Sequence, residues 1–263
     1  MSDAAKVAIS NQKGGVGKTT VAINVAGALN CQGHDVLFVD LDPQGNATEG
    51  LGLEAEYEAQ PPTLFDALTD HEEREEVNSL IVSHPEMDVL PSNIDMTSVE
   101  PELTMAMRGR ERLGQVLDAI DTEYDVIVID CPPYLGNLTD NALLAAGNVL
   151  IPALAESTSK RALEILFDQM EVLEAEYDTH VRDLGVVANR VETTNEAEAM
   201  LTWFDEAFSD VPVWEIRKRV TLQRAFSAGC SVFELEEECD MTTEFLAIAD
   251  ELGRQLGLVE VTA

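Results

Sequence analysis

Short, continuously apolar runs rich in β-branched residues alternate along this chain with stretches whose apolar positions recur every third or fourth residue. The runs predict strands over Val7–Ser10, Val36–Asp40, Met87–Leu90, Asp125–Asp130, Val149–Ala153, Leu184–Asn189 and Val211–Ile216. Several are bounded by turn residues and carry no polar alternation, as strands buried on both faces do. The helical spacing predicts helices over Thr19–Leu29, Arg108–Ile120 and Arg161–Glu176, with a last one over Thr242–Leu256. Strand–helix alternation of this kind predicts an α/β fold: a mostly parallel, twisted sheet with helices on both faces. No repeat or low-complexity tract interrupts the 263 residues, so a single domain over 1–263 is expected. Residues 54–76 are the least strand-like, acidic and carrying Pro61-Pro62; they are expected to form a surface excursion with a short helix.

Composition changes this picture little, and charge changes it more. A hydrophobic content of 45% supports a packed core rather than disorder. No run of 18 or more apolar residues and no basic-then-apolar leader is visible, so a soluble, unexported, cytoplasmic protein is expected. Fifty acidic residues face 16 basic ones, a formal charge of −34. Such a chain either repels nucleic acid or is adapted to high salt, where carboxylates hydrate the surface and repulsion is screened. The acids are spread along the chain rather than gathered in a tail, which favours the salt-adapted, halophilic reading. A nucleic-acid partner therefore stays open. The four cysteines, Cys31, Cys131, Cys230 and Cys239, form neither a C-x-x-C pair nor a His/Cys cluster; reduced core thiols are expected.

The strongest chemical signal is Lys13-Gly14-Gly15-Val16-Gly17-Lys18-Thr19-Thr20, which follows a predicted strand and opens a predicted helix. In that setting glycines let backbone N–H groups turn onto phosphate oxygens, and the helix N-terminus adds positive partial charge. Lys18 would reach the β- and γ-phosphates, Thr19 would ligate Mg²⁺, and Thr20 can add a hydroxyl toward the α-phosphate. Gln12 occupies the first glycine position of a standard phosphate loop, while Lys13 places a second cation there. Without its ligand the same segment is only a glycine-rich turn. Asp40 and Asp130 each end a predicted apolar strand, where a buried unpaired acid would be costly. The carboxyl edge of a parallel sheet, where ligands bind, removes that cost. Asp42, two residues on, could orient a water at the γ-phosphate. Taken singly, each aspartate could also be a solvated strand end.

Asn11 through Thr20, the stretch Val39-Asp40-Leu41-Asp42-Pro43-Gln44-Gly45-Asn46-Ala47-Thr48, and Ile129-Asp130-Cys131-Pro132-Pro133 together resemble the ParA/Soj family of deviant Walker ATPases, in the same superfamily as MinD. The resemblance covers nearly the whole chain. It implies an ATP-driven homodimer using ATP and Mg²⁺, in which Lys13 resembles the signature lysine that reaches the partner's nucleotide. It also implies that Asp42 positions the attacking water, that Asp40 and Asp130 surround Mg²⁺ and its waters, and that the segment with Pro132, Pro133 and Gly136 reports the γ-phosphate. Asn189 resembles the adenine-reading asparagine of the wider superfamily; an amide satisfying a local turn is the alternative. Near the C-terminus the chain departs from the family: Arg217 and Arg219 replace a proline and an asparagine that can line the base, and Thr221 replaces an arginine implicated in DNA contact. Yet Arg217, Lys218, Arg219 and Arg224 put four of the 16 basic residues within eight positions. They form either a DNA phosphate patch or a set of ion pairs with the acidic majority at the nucleotide mouth.

The resemblance thus implies a partition-type ATPase binding DNA non-specifically in its ATP state, associated with the nucleoid and stimulated by a ParB-like centromere-binding partner. A MinD-like role at a membrane is the second reading, but the final segment Glu251-Leu252-Gly253-Arg254-Gln255-Leu256-Gly257-Leu258-Val259-Glu260 is a poor lipid-binding helix, so no stable membrane anchor is expected. A metabolic ligase would need an ammonia source for which the length leaves no room. An orphan relative positioning another cargo remains open, since cargo choice lies in surfaces and partners.

Overall fold

Eight strands form one sheet in a computed structural model that describes residues 4–235 and 237–258. The strands are β1 (Ala5–Ile9), β2 (Val36–Asp40), β3 (Val82–Ser83), β4 (Asp88–Leu90), β5 (Val126–Asp130), β6 (Asn148–Leu154), β7 (Arg182–Val191) and β8 (Val213–Arg217), in the order β3-β4-β2-β5-β1-β6-β7-β8. All neighbours pair in parallel except the edge pair β3–β4. The chain is therefore the single-domain α/β protein that the alternation predicts.

The two-residue period of a strand explains the layering. Val36 and Phe38 of β2 face one core, and Leu37 and Val39 face the other. Val126 and Val128 of β5 divide from Ile127 and Ile129 in the same way. The first core is closed by the helix Lys18–Cys31 and the final helix Thr242–Leu256, whose Phe245, Ile248, Ala249 and Leu252 are buried. The opposite core is closed by helices that include Asn137–Ala146 and Ser159–Tyr177. The apolar face of the final helix is thus packed against the core. Val259 and Glu260 of the segment weighed for membrane binding lie outside the described residues. No helix among the described residues is long and apolar enough to cross a membrane.

Several expectations shift. The helix predicted over Arg108–Ile120 is broken: Arg108 adopts a left-handed φ of 56°, a short 3₁₀ turn Gly109–Glu111 follows, and the α-helix runs only from Arg112 to Asp118. The segment 54–76 is no mere surface excursion. It contains three short helices, Glu54–Tyr57, Leu64–Thr69 and His71–Arg74, and the middle one buries Leu64, Ala67 and Leu68 in the core. Acids outnumber its apolar residues, which masks that three-to-four spacing. Of the four cysteines, Cys131 and Cys239 are buried, whereas Cys31, the last residue of its helix, is exposed.

Candidate nucleotide site

The sheet order inserts β5 between β1 and β2, so that the loops leaving β1, β2 and β5 share one crevice at the carboxyl edge. Reversal of strand order at such a point opens the space in which ligands of α/β sheets bind. Register sharpens this. Ile9 pairs with Asp130, and Asp130 with Asp40, so the two aspartates end adjacent strands side by side.

The loop after β1 turns through Gly15 (φ 76°) and Gly17 (φ 85°) before the helix begins at Lys18. Gly17 is a position that favours glycine: its φ of 85° is left-handed, and an added Cβ would push aside the Asn189 amide that holds the loop. Asn189, at 2% exposure, donates from Nδ2 to the Val16 carbonyl at 2.8 Å, and its Oδ1 accepts from Arg190 N–H at 2.9 Å. Its amide thus holds the phosphate loop through Nδ2, a contact that spans 173 residues, while only its Oδ1 serves a local turn. Arg190, which sequence reasoning passed over, donates to the Gly15 carbonyl at 3.2 Å. Its backbone is left-handed (φ 55°), which is uncommon outside glycine, but no residue pattern announces it.

Lys18 is 6% exposed, and among the described residues its Nζ has only the Lys13 carbonyl, at 3.5 Å, as a hydrogen-bond partner. Burial pushes its ammonium pKa down, while Asp130, Cys131 and Asp42 pull it back. Asp130 is fully buried, and neither of its carboxylate oxygens has a hydrogen-bond partner of normal geometry. Burial, then the neighbouring Asp40 charge, raise its pKa well above the carboxylate range; the Thr19 hydroxyl and Lys18 oppose that without reversing it. A buried cation with one weak partner and a buried acid with none are costly in isolation. They are the complement of a phosphate oxyanion and a hard cation respectively, so the residues fit an Mg²⁺–nucleotide. Among the described residues no cluster of three or more His, Cys, Asp or Glu side chains could hold a metal alone. An ion here would have to take most of its oxygens from phosphates and water, as Mg²⁺ does.

The two other aspartates differ from Asp130. Asp40 Oδ2 accepts from Thr48 N–H at 2.8 Å and Thr48 O–H at 2.7 Å, and its Oδ1 accepts from Asp42 N–H at 3.2 Å. Burial raises its pKa to about 7 against these donors. Asp40 is therefore a clamp on the following loop, with Asp130 the acid that keeps free lone pairs. Asp42, 5% exposed, accepts from Gln44 N–H at 3.0 Å; burial raises its pKa and Lys18 lowers it. Thr48, at the end of the run Val39–Thr48, enters the site through this clamp on Asp40.

Lys13 points away from its own loop. Its Nζ meets Glu156 Oε2 at 3.0 Å and Thr158 Oγ1 at 2.6 Å on the segment after β6. Partly exposed pairs of this kind are worth about 0–1 kcal/mol, so the lysine is weakly tethered and can exchange partners.

Beside the loop lies a cavity of about 350 Å³ lined by Gly17, Thr20 and Asn189 on one side and by Arg217, Arg219, Leu222 and Phe226 on the other. Its volume suits a small ligand. Lys218 also lines it and pairs with Glu192 at 2.7 Å; Arg219 forks onto Asp240, with contacts of 2.6 to 3.0 Å. Arg224 stands apart from the cavity and pairs with Glu237 at 2.7 Å. Three of the four clustered cations are thus matched to carboxylates, and Arg217 alone makes no ion-pair contact with a described residue.

Comparison with known proteins agrees with this geometry. A family model described as an AAA domain matches residues 4–182. The sporulation initiation inhibitor protein Soj of Bacillus subtilis is 34% identical over 94% of this chain and 97% of its own. The chromosome partitioning protein ParA of Caulobacter vibrioides is also 34% identical, over 94% of this chain and 92% of its own. Among solved structures, an ATP complex of a Cyanothece McdA variant superposes with a TM-score of 0.84 over 96% of this chain and 98% of that one, at 24% identity, a likeness of fold.

Proposed function

The chain belongs to the ParA/Soj family of partition ATPases, and from that premise we propose that it is a Mg²⁺-dependent ATPase whose ATP state is a DNA-bound homodimer acting in chromosome or plasmid partition. The observation that carries the ATP site is the buried, underpartnered Lys18 ammonium and Asp130 carboxyl, which act on each other electrostatically at the switch point of the sheet.

In this reading the backbone N–H groups of 14–19 and the Lys18 ammonium hold the phosphates. Thr19 and Asp130 would hold Mg²⁺ and its waters, with Asp40 fixing the adjoining loop. Bound there, the ion would neutralise charge developing on the β- and γ-phosphates. Asp42 orients the attacking water, and the elevated proton affinity that burial gives it suits that task. The base occupies the cavity bounded by Leu222 and Phe226, with Arg217 and Arg219 at its rim in place of the family's proline and asparagine.

Lys13 supports the dimer reading, since its weak tether to Glu156 frees it to meet a phosphate of a second copy. Asp42→Ala is expected to bind ATP with undiminished affinity, hydrolyse it at least about a hundredfold more slowly, and accumulate as a dimer. Size-exclusion chromatography with Mg–ATP checks this; a monomeric, fully active variant would refute the role of Asp42.

Non-specific DNA binding in the ATP state, with a ParB-like partner releasing the dimer from the nucleoid, rests on the relatives' partition roles and on the cationic cluster of Arg217, Lys218 and Arg219 at the cavity with Arg224 beyond it. The ion pairs to Glu192, Asp240 and Glu237 make that cluster weaker than its composition suggests. Replacing Arg217, Lys218 and Arg219 with glutamine should therefore remove DNA co-sedimentation in the presence of Mg–ATP, with a salt dependence of binding in the wild type that is shallow. Retained binding in the triple variant would place the DNA contact elsewhere.

A further inference from the structure

We propose that Ser92 and Tyr57 are positioning residues for hydrolysis, gripping two successive carbonyls of the loop that carries Asp42. The proposal rests on the ATPase reading above and assigns work to residues outside every recognisable motif. Ser92 follows the end of β4 and is fully buried. Its hydroxyl donates to the Asp42 carbonyl at 2.7 Å, and its N–H donates to Thr48 Oγ1 at 2.9 Å. That same Thr48 hydroxyl donates to Asp40 Oδ2 at 2.7 Å. One serine therefore ties the end of β4 to Asp40, the last residue of β2, and to Asp42 in the loop that follows: its hydroxyl holds the Asp42 carbonyl directly, and its N–H reaches Asp40 through the Thr48 hydroxyl, which accepts one bond and donates the next.

Tyr57 grips the loop from the solvent side. Its hydroxyl donates to the Pro43 carbonyl at 2.9 Å, and its ring lies so close over Gly45 (φ 62°) that a Cβ there would strike it. The short helix bearing Tyr57 is in turn fastened to the residue after Ser92: Asn93 Nδ2 donates to the carbonyls of Glu56 and Ala59, both at 3.1 Å. The loop 42–45 is thus held between a buried hydroxyl beneath and an aromatic lid above, and both supports converge on the 92–93 segment.

The geometry has a kinetic consequence. Neither hydroxyl reaches the phosphate loop, so nucleotide binding should not depend on them. Asp42, by contrast, must hold a water in line with the γ-phosphate, and displacement of a catalytic group by a fraction of an ångström costs rate rather than affinity. Loss of one neutral hydrogen bond at each support predicts a fall in kcat of about three- to tenfold. Because both act on one loop, their effects should combine less than multiplicatively.

The test uses Ser92→Ala and Tyr57→Phe, singly and together, in the full chain. Tyr57→Phe removes only a hydroxyl from a half-buried ring, so it remains informative should Ser92→Ala fold poorly. Steady-state hydrolysis of Mg–ATP should show kcat reduced with KM unchanged. Amide hydrogen exchange should quicken over 42–46 and not over 14–20. Unchanged kcat in both variants, or kcat and KM moving together with exchange quickened across the core, would overturn the positioning role. A wild-type chain that binds ATP without hydrolysing it would instead overturn the ATPase reading, and the exchange comparison would still decide whether the two side chains hold the loop.

Discussion

Lys18→Ala is expected to abolish nucleotide binding while leaving the fold intact. The Lys18 ammonium is almost fully buried, its pKa is depressed by that burial, and it has a single long contact to the Lys13 carbonyl. A charge held in this condition contributes little to the stability of the ligand-free chain. Its interaction with a phosphate in the same crevice is poorly screened, and charge-assisted bonds of this kind contribute about 1.5–3 kcal/mol each. With more than one phosphate oxygen in reach, affinity should fall at least about a hundredfold. Titration with a fluorescent ATP analogue checks the affinity, and circular dichroism checks the fold. An unfolded variant, or one that binds normally, would contradict the place given to Lys18.

Asp130→Asn is expected to stabilise the ligand-free chain and to eliminate hydrolysis together. Both Asp130 oxygens are buried without partners, and its pKa is driven up by burial and by Asp40. The folded carboxyl therefore keeps its proton to higher pH than the unfolded one. Stability is greatest at low pH and is lost as pH rises above the unfolded value near 4, until the folded group has itself ionised. Asp40, raised to about 7, adds a loss of the same sign over pH 4 to 7. An amide at position 130 removes its share, so the variant should gain about 1–3 kcal/mol over the wild type at alkaline pH and less near pH 5. Thermal melts at the two pH values read this directly. The gain should shrink when both are melted with saturating Mg–ATP, which stabilises the wild type more than the variant. A variant less stable than the wild type at every pH would show that Asp130 is a structural acid.

Much of the site was legible because its parts are bound to local pattern. The strand ends at Asp40 and Asp130 stand out as acids closing continuous apolar runs, and the structure places them in register on adjacent strands. The phosphate loop announces itself through glycine spacing and two lysines. What escaped depends on contacts far apart in sequence. Ser92 and Tyr57 are ordinary residues whose roles exist only because β4 lies beside β2. The pairing of Arg219 with Asp240 and of Lys218 with Glu192 spans more than twenty residues in each case and leaves no local trace. The helix Asn137–Ala146 went unseen for a related reason. Its buried face includes Thr139, Asp140 and Asn141, which break the apolar stripe. Asp140 meets Arg110 and Gln169, and Asn141 holds the Leu113 N–H and the Gly109 carbonyl. Polar residues satisfied by distant partners read, in sequence, as a solvent-exposed turn.

The proposed nucleotide site is one that Mg²⁺ supports, that hydrolyses ATP, and that a second copy completes through Lys13. The rate of phosphate release per chain, measured with Mg–ATP across a range of chain concentrations, tests all three at once. It should rise with chain concentration, level off once the dimer is filled, and disappear with EDTA. A rate per chain that is independent of concentration, or no phosphate release at any concentration, would contradict it.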